Sequence, residues 1–189
     1  MIRSFLAVEL PETILAKIGE IEGDLRKTSA DVRWVSPEKI HLTLKFFGSI
    51  EESRIDPIMK AIEGPIRSVR PFQLSVQGMG VFPHFKSPKV IWMGLVDGEG
   101  VLASLQRQVE AALEKIGFQP EDRSFRPHLT LGRAKSNRGK EDLVQKMEGY
   151  RETFIGAFQV EKVTLFKSDL KPTGPVYTAL REMRLGGSS

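Results

Sequence analysis

The chain contains no cysteine. That removes disulfides, thiolate nucleophiles and cysteine-based zinc or iron–sulfur sites from consideration. Histidine is almost as scarce, with three residues in 189. No apolar run approaches the length needed to cross a bilayer. The N-terminal stretch Met1–Glu12 is too short in its apolar part, and too soon interrupted by Glu9 and Glu12, to read as a secretion signal. A cytoplasmic protein is the expectation. Neither charge sign dominates: 28 Lys and Arg against 24 Asp and Glu give a formal +4, compatible with a phosphate-bearing partner and weak evidence for one. With 40% hydrophobic and 28% charged residues, the chain has the balance of a globular protein, long enough to bury a core.

The pattern along the chain alternates strands and helices. Residues 3–10 predict a buried strand stopped by Pro11, and Ile14, Ile18, Ile21 and Leu25 predict a helix over 12–27. A short strand over 32–35 and a strand over 39–47, closed by Gly48, follow. A helix over 52–63 is expected, against the cost of Pro57. Strands over 72–81 and 89–96 flank a loop rich in Pro, His and Phe. The clearest helix spans 101–116, stopped by Gly117. A strand over 125–133, a short helix near 141–148 and strands over 153–160, 161–167 and 176–184 complete the fold. The last four residues, 186–189, are expected to be a disordered tail.

Strand, helix and strand thus occur twice, and each copy ends in the same tetrapeptide, His-Leu-Thr-Leu, at 41–44 and at 128–131. The histidines are 128 − 41 = 87 residues apart, near half the chain length. An internal duplication is implied, with two lobes facing each other in an α+β fold of mainly antiparallel sheet and outer helices. Residues 1–185 are read as one domain made of these lobes.

Successive side chains of a strand alternate faces. His41 and Thr43 therefore share one face and Leu42 and Leu44 the other, and His128 and Thr130 oppose Leu129 and Leu131 in the same way. Two strand steps separate each His from its Thr by roughly 6–7 Å, room for a phosphate group. Two such strands across a cleft would supply an imidazole to take a proton from water and an imidazolium to give one to a leaving oxygen. The hydroxyls would hold the non-bridging oxygens. This chemistry requires neither metal nor cofactor, and no carboxylates are spaced around either motif to complete a metal site. A single His-x-Thr means little, but two of three histidines in identical tetrapeptides point to function.

Around this set, Arg133 is at odd spacing from His128, on the opposite face of an unbroken strand; a bulge or turn at Gly132 would bring it round. Lys45, at even spacing from His41, lines the same cleft or flanks it. His84 reads as a loop residue, beside Phe82 and Phe85, which could touch a base. Trp34 and Trp92 read as core.

These segments resemble the 2H phosphoesterase superfamily, specifically the RNA 2′,3′-cyclic phosphodiesterase (2′-5′ RNA ligase) family. The resemblance extends through Arg3–Pro11, Val32–Gly48, Phe125–Arg133, Val163–Leu170 and Gly174–Tyr177. It implies a bilobal fold with the active site in the cleft. It implies metal-independent hydrolysis of an RNA terminal 2′,3′-cyclic phosphate to a 2′-phosphate, and 2′-5′ ligation when a 5′-hydroxyl replaces water. It gives His41 the donor role and His128 the base role, with Thr43 and Thr130 on the phosphate oxygens and Arg133 as helper. The partner is RNA or a nucleotide with a cyclic phosphate end. Competing expectations are the same chemistry on another cyclic nucleotide and a module that grips RNA ends without turnover. Two imidazoles disfavour the latter, since Arg or Lys serves binding better. No long apolar interface helix is present, so a monomer is expected.

Overall fold

The computed structural model describes residues 1–172 and 174–187. Nine strands and four helices alternate along them: β1 (Ile2–Glu9), α1 (Glu12–Leu25), β2 (Val32–Trp34), β3 (His41–Ile50), α2 (Ile55–Arg67), β4 (Phe72–His84), β5 (Ser87–Val96), α3 (Val101–Glu114), β6 (His128–Ala134), α4 (Lys140–Glu148), β7 (Phe154–Val160), β8 (Lys162–Lys171) and β9 (Gly174–Arg184). Short 3₁₀ turns occupy Pro37–Lys39 and Glu52–Arg54. This is an α+β protein. Every strand pairing is antiparallel, and the sheet runs β7-β4-β5-β6-β3-β1-β8-β9, with β2 added beside β6.

Four strands lie on each side of the β3–β6 contact, and that contact is a single paired position, Leu42 with Leu129. The strand–helix–strand units are β1–α1–β3 and β5–α3–β6. Their helices cross between the halves. Helix α1 leaves β1 and packs against β7, where the Lys17 ammonium donates to the Ile155 carbonyl at 3.1 Å. Gly156 has no side chain there because a Cβ would lie 2.7 Å from Ile14 Cδ1. Helix α3 leaves β5 and packs on α2 and β3.

Apolar residues at helical spacing make these contacts. Ile14, Ile18 and Leu25 of α1, Ile58, Ile62 and Ile66 of α2, and Leu102, Leu105, Val109 and Leu113 of α3 are all buried, in one core cluster with Leu42, Leu44, Leu129 and Leu131. No helix among the described residues is long and apolar enough to cross a membrane.

Several boundaries differ from expectation for identifiable reasons. Gly48 does not close β3: with φ at 69° it occupies an irregularity of the β1–β3 pairing, and the strand continues to Ile50. Helix α2 begins at Ile55, so Pro57 lies in its first turn, where no backbone donor is needed. The helix then runs past the expected end at 63 and through Pro65, anchored by buried Ile66. The expected Pro-His-Phe loop is a tight hairpin instead: β4 and β5 extend until His84 faces Ser87. Residues 125–127 lie outside β6. Gly186, expected at the head of the tail, donates its N–H to Val69 O at 2.8 Å, and a Cβ there would strike the Arg67 carbonyl. Ser188 and Ser189 lie outside the described residues.

Candidate active site

The two HLTL segments open β3 and β6, and both show the same burial sequence: half-buried His, buried Leu, half-buried Thr, buried Leu. The leucines are drawn into the core, which turns the polar pair of each strand to the other face. Pairing of Leu42 with Leu129 sets the rest. Carrying the antiparallel register one residue either way puts His41 across from Thr130 and Thr43 across from His128. All four are on the face opposite the leucines. Two segments from opposite halves of the chain thus meet on adjacent strands, each imidazole facing the other segment's hydroxyl.

Both rings are held alike. His41 Nδ1 is 2.8 Å from Lys39 O and His128 Nδ1 is 2.6 Å from Arg126 O, in each case the carbonyl two residues back. A carbonyl only accepts, so Nδ1 carries the proton in both. Nε2 is then the nitrogen that changes its protonation state. One ring can act as base and the other, doubly protonated, as acid.

The surroundings are unequal. The His41 ring stacks on Phe5 with centroids 4.6 Å apart and meets the edge of Tyr177 at 5.3 Å. His128 has an edge contact with Phe82 at 5.1 Å. Burial pushes the His41 imidazole below its ordinary value. The hydrogen bond to Lys39 O and the Glu9 carboxylate, which faces His41 from β1, pull the other way. Burial also raises the Tyr177 phenol, against the pull of the Arg3 and Arg133 guanidinium groups. Beside His41 lies a groove of about 380 Å³ bordered by Glu9, Lys39, Phe166 and Tyr177.

Each strand carries an extra residue at the last leucine of its motif. In β3, Leu6 pairs with Lys45 and Ala7 with Thr43, skipping Leu44. In β6, Ile91 pairs with Gly132 and Trp92 with Thr130, skipping Leu131. Such a bulge reverses the alternation of faces. Arg133 therefore emerges on the face of His128 and Thr130, exposed.

For Lys45 the bulge in β3 has the opposite effect, and the expectation that it lines or flanks the cleft is corrected. Its ammonium is buried on the helix side, 2.9 Å from Glu110 and 2.7 Å from the Gln119 carbonyl. Exposed Phe46 holds the place in β3 that Arg133 holds in β6. His84, placed by the hairpin, makes no contact with either histidine ring, whereas Phe82 does. Trp34 packs against the core, as read. Trp92, read as core, is only half-buried; it sits opposite Thr130, with its ring tilted against Phe82 at 5.2 Å. Sequence reasoning missed Phe5, Glu9, Phe166 and Tyr177. Phe5, Glu9 and Tyr177 face His41 from β1 and β9, and Phe166 of β8 borders the same groove; they lie in segments that carry the family resemblance, but no spacing rule singles them out. Among the described residues no three His, Asp or Glu side chains form a group able to hold a metal ion.

An antiparallel α+β sheet with a His-x-Thr strand from each half at its centre defines a two-histidine phosphoesterase fold. The chain belongs to the 2′-5′ RNA ligase superfamily, whose model matches residues 10–172. It is 36% identical over 184 residues to the RNA 2′,3′-cyclic phosphodiesterase of Methanothermobacter thermautotrophicus, covering 97% of this chain and 99% of that one. It is also 36% identical over 180 residues to the protein of that name from Archaeoglobus fulgidus, covering 95% and 98%. A crystal structure of a Thermus thermophilus protein superposes with a TM-score of 0.83 at 28% identity, covering 99% of this chain and all of that one.

Proposed function

We propose that this protein hydrolyses the terminal 2′,3′-cyclic phosphate of RNA to a 2′-phosphate, by acid–base catalysis between two histidines and without a metal. The observation that carries the reading is the antiparallel contact at Leu42 and Leu129, with each imidazole locked through Nδ1 onto a carbonyl. The relatives' shared name, RNA 2′,3′-cyclic phosphodiesterase, supports the substrate class.

In the proposed reaction His128 Nε2 takes a proton from the attacking water, the water oxygen bonds to phosphorus, and the bond from phosphorus to O3′ breaks. His41 Nε2 protonates that departing oxygen. Thr43 and Thr130 hold the non-bridging oxygens, and Arg133 helps to bind the substrate. The four strands on each side of the β3–β6 contact act as the two lobes of one domain. A 5′-hydroxyl in place of water, its oxygen bonding to phosphorus as the bond to O3′ breaks, gives a 2′-5′ linkage.

Burial of His41 fits the donor role. Desolvation makes its imidazolium a stronger acid, and Glu9 and the anionic substrate supply the negative charge that lets it hold a proton in the complex.

The test is product analysis on RNA with a 2′,3′-cyclic end in excess EDTA. Turnover to the 2′-phosphate is expected, and His41→Ala and His128→Ala should each lower the rate by about 10²–10⁴-fold. Loss of turnover in EDTA, or near-normal rates in both variants, would overturn the reading.

A further inference from the structure

Arg33 of β2 and Arg133 of β6 stand directly opposite each other, and directly opposed residues of an antiparallel pair share a face. Their strand neighbours identify that face. Val32 and Trp34 pack on the core, and a Cβ on Gly132 would lie 2.7 Å from Val32 Cγ1 and 3.0 Å from Trp34 Cε3. Gly132 thus points to the core side, and the two arginines, both exposed, point to the side of His128 and Thr130.

Like charges opposite each other in a sheet repel. Five of the other twelve arginines have side-chain partners among the described residues: Arg26 has Glu22, Arg54 the Ile116 carbonyl, Arg67 has Glu63, Arg151 has Glu148 and Arg181 has Asp56. Arg33 and Arg133 have neither an ion pair nor a side-chain hydrogen bond among the described residues. Two guanidinium groups held side by side without a counter-charge form a natural fork for a phosphate.

Their location narrows which phosphate. Strands β3 and β2 follow one another along the same edge of β6. Strand β3 is at Leu129 and β2 at Gly132–Ala134, and Val35 N–H donates to Leu131 O at 2.8 Å between them. The pair therefore lies beyond the His41 end of the motif cluster, roughly 10 Å from Thr130 at three strand residues, a gap that the long arginine side chains partly close. At that same end the groove beside His41 and Tyr177 opens, and Arg133 is close enough to act on the Tyr177 phenol.

We propose that Arg33 and Arg133 together form a subsite for the internucleotide phosphate on the 5′ side of the terminal nucleotide, so that the protein prefers an RNA end to a cyclic mononucleotide. This rests on the reading of the His and Thr cluster given above. Arg33 acts here as a specificity residue, remote from the reacting atoms.

The experiment compares a nucleoside 2′,3′-cyclic phosphate lacking any 5′-phosphate with a dinucleotide that has the same cyclic end and one internucleotide phosphate. Wild-type protein is expected to favour the dinucleotide in kcat/KM. Arg33→Gln should cut that preference about tenfold, the scale of one charge-assisted contact, and Arg33→Lys should restore part of it. The salt dependence for the dinucleotide should become shallower by about 0.7 in log–log slope. With no substrate present, Arg33→Gln should not lower Tm, because it removes a repulsion. An unchanged preference in Arg33→Gln, or equal losses on both substrates, would overturn the subsite. Failure of wild-type protein to hydrolyse either compound would overturn the reading of the cluster, and the subsite with it.

Discussion

At the scale of single residues, His41 and His128 are a matched pair placed in unmatched surroundings. Both Nδ1 atoms are tied to the carbonyl two residues back, so the difference between the rings comes from what touches them. Phe5 and Tyr177 enclose His41 and lower its proton affinity. If His41 is the donor, activity falls as pH rises through its pKa, because only the protonated ring can give a proton. In the free protein that pKa lies below the ordinary value near 6.5. A bound anion raises it. The alkaline limb of kcat/KM should therefore appear at lower pH than the alkaline limb of kcat. Paired pH profiles check this, and coincident limbs would argue against the assignment. The identity of the two rings was legible from the repeated tetrapeptide. Their inequality was not, because Phe5 and Tyr177 reach His41 through sheet order, and tetrapeptides carry no information about which strands become neighbours.

At the scale of elements, the two central strands show where counting by twos succeeds and where it stops. Alternation assigns faces correctly through Leu42, Thr43 and Leu44, and again through Leu129, Thr130 and Leu131, since each leucine that enters the core fixes its neighbours. One residue later the bulges shift the count. Lys45, counted into the cleft, is buried among Glu110 and the Gln119 carbonyl, and Arg133, counted away, emerges on the motif face. Gly132 invites the bulge beside it in β6, but nothing in HLTLK announces the one in β3, because it is the partner strand's register that creates it. Replacing Lys45 should thus act on stability rather than chemistry. Lys45→Met leaves Glu110 without its buried partner, a loss of about 3–5 kcal/mol. Denaturant unfolding should show it, while the pH profile of the remaining folded protein stays where it was.

At the scale of the whole molecule, two strand–helix–strand units each end in a motif strand, yet the chain does not divide at its midpoint. One half, β4 to β7, is continuous over residues 72–160, whereas the other is assembled from β1 and β3 together with the late strands β8 and β9. The sequence could not reveal this closure, because pairing of β1 with β8 joins residues such as Leu6 and Leu165 that lie most of the chain apart. The helices tie the halves further: α1 covers β7 and α3 covers β3. A fragment spanning residues 70–161 would expose the sheet surface that α1 buries with Ile14 and Ile18. Alone it should show no cooperative thermal transition by circular dichroism, and a sharp one would mean that the crossing helices are dispensable.

The contact between His41 and Tyr177 has a consequence for how the protein is made. A ribosome delivers the chain from its N-terminus at about 5–20 residues per second, and 177 − 41 = 136 residues separate the two partners. His41 therefore emerges well before the wall that shields it from water. A nascent or truncated chain that stops short of Tyr177 would carry an imidazole without its wall, and only the arrival of β9 would tune it.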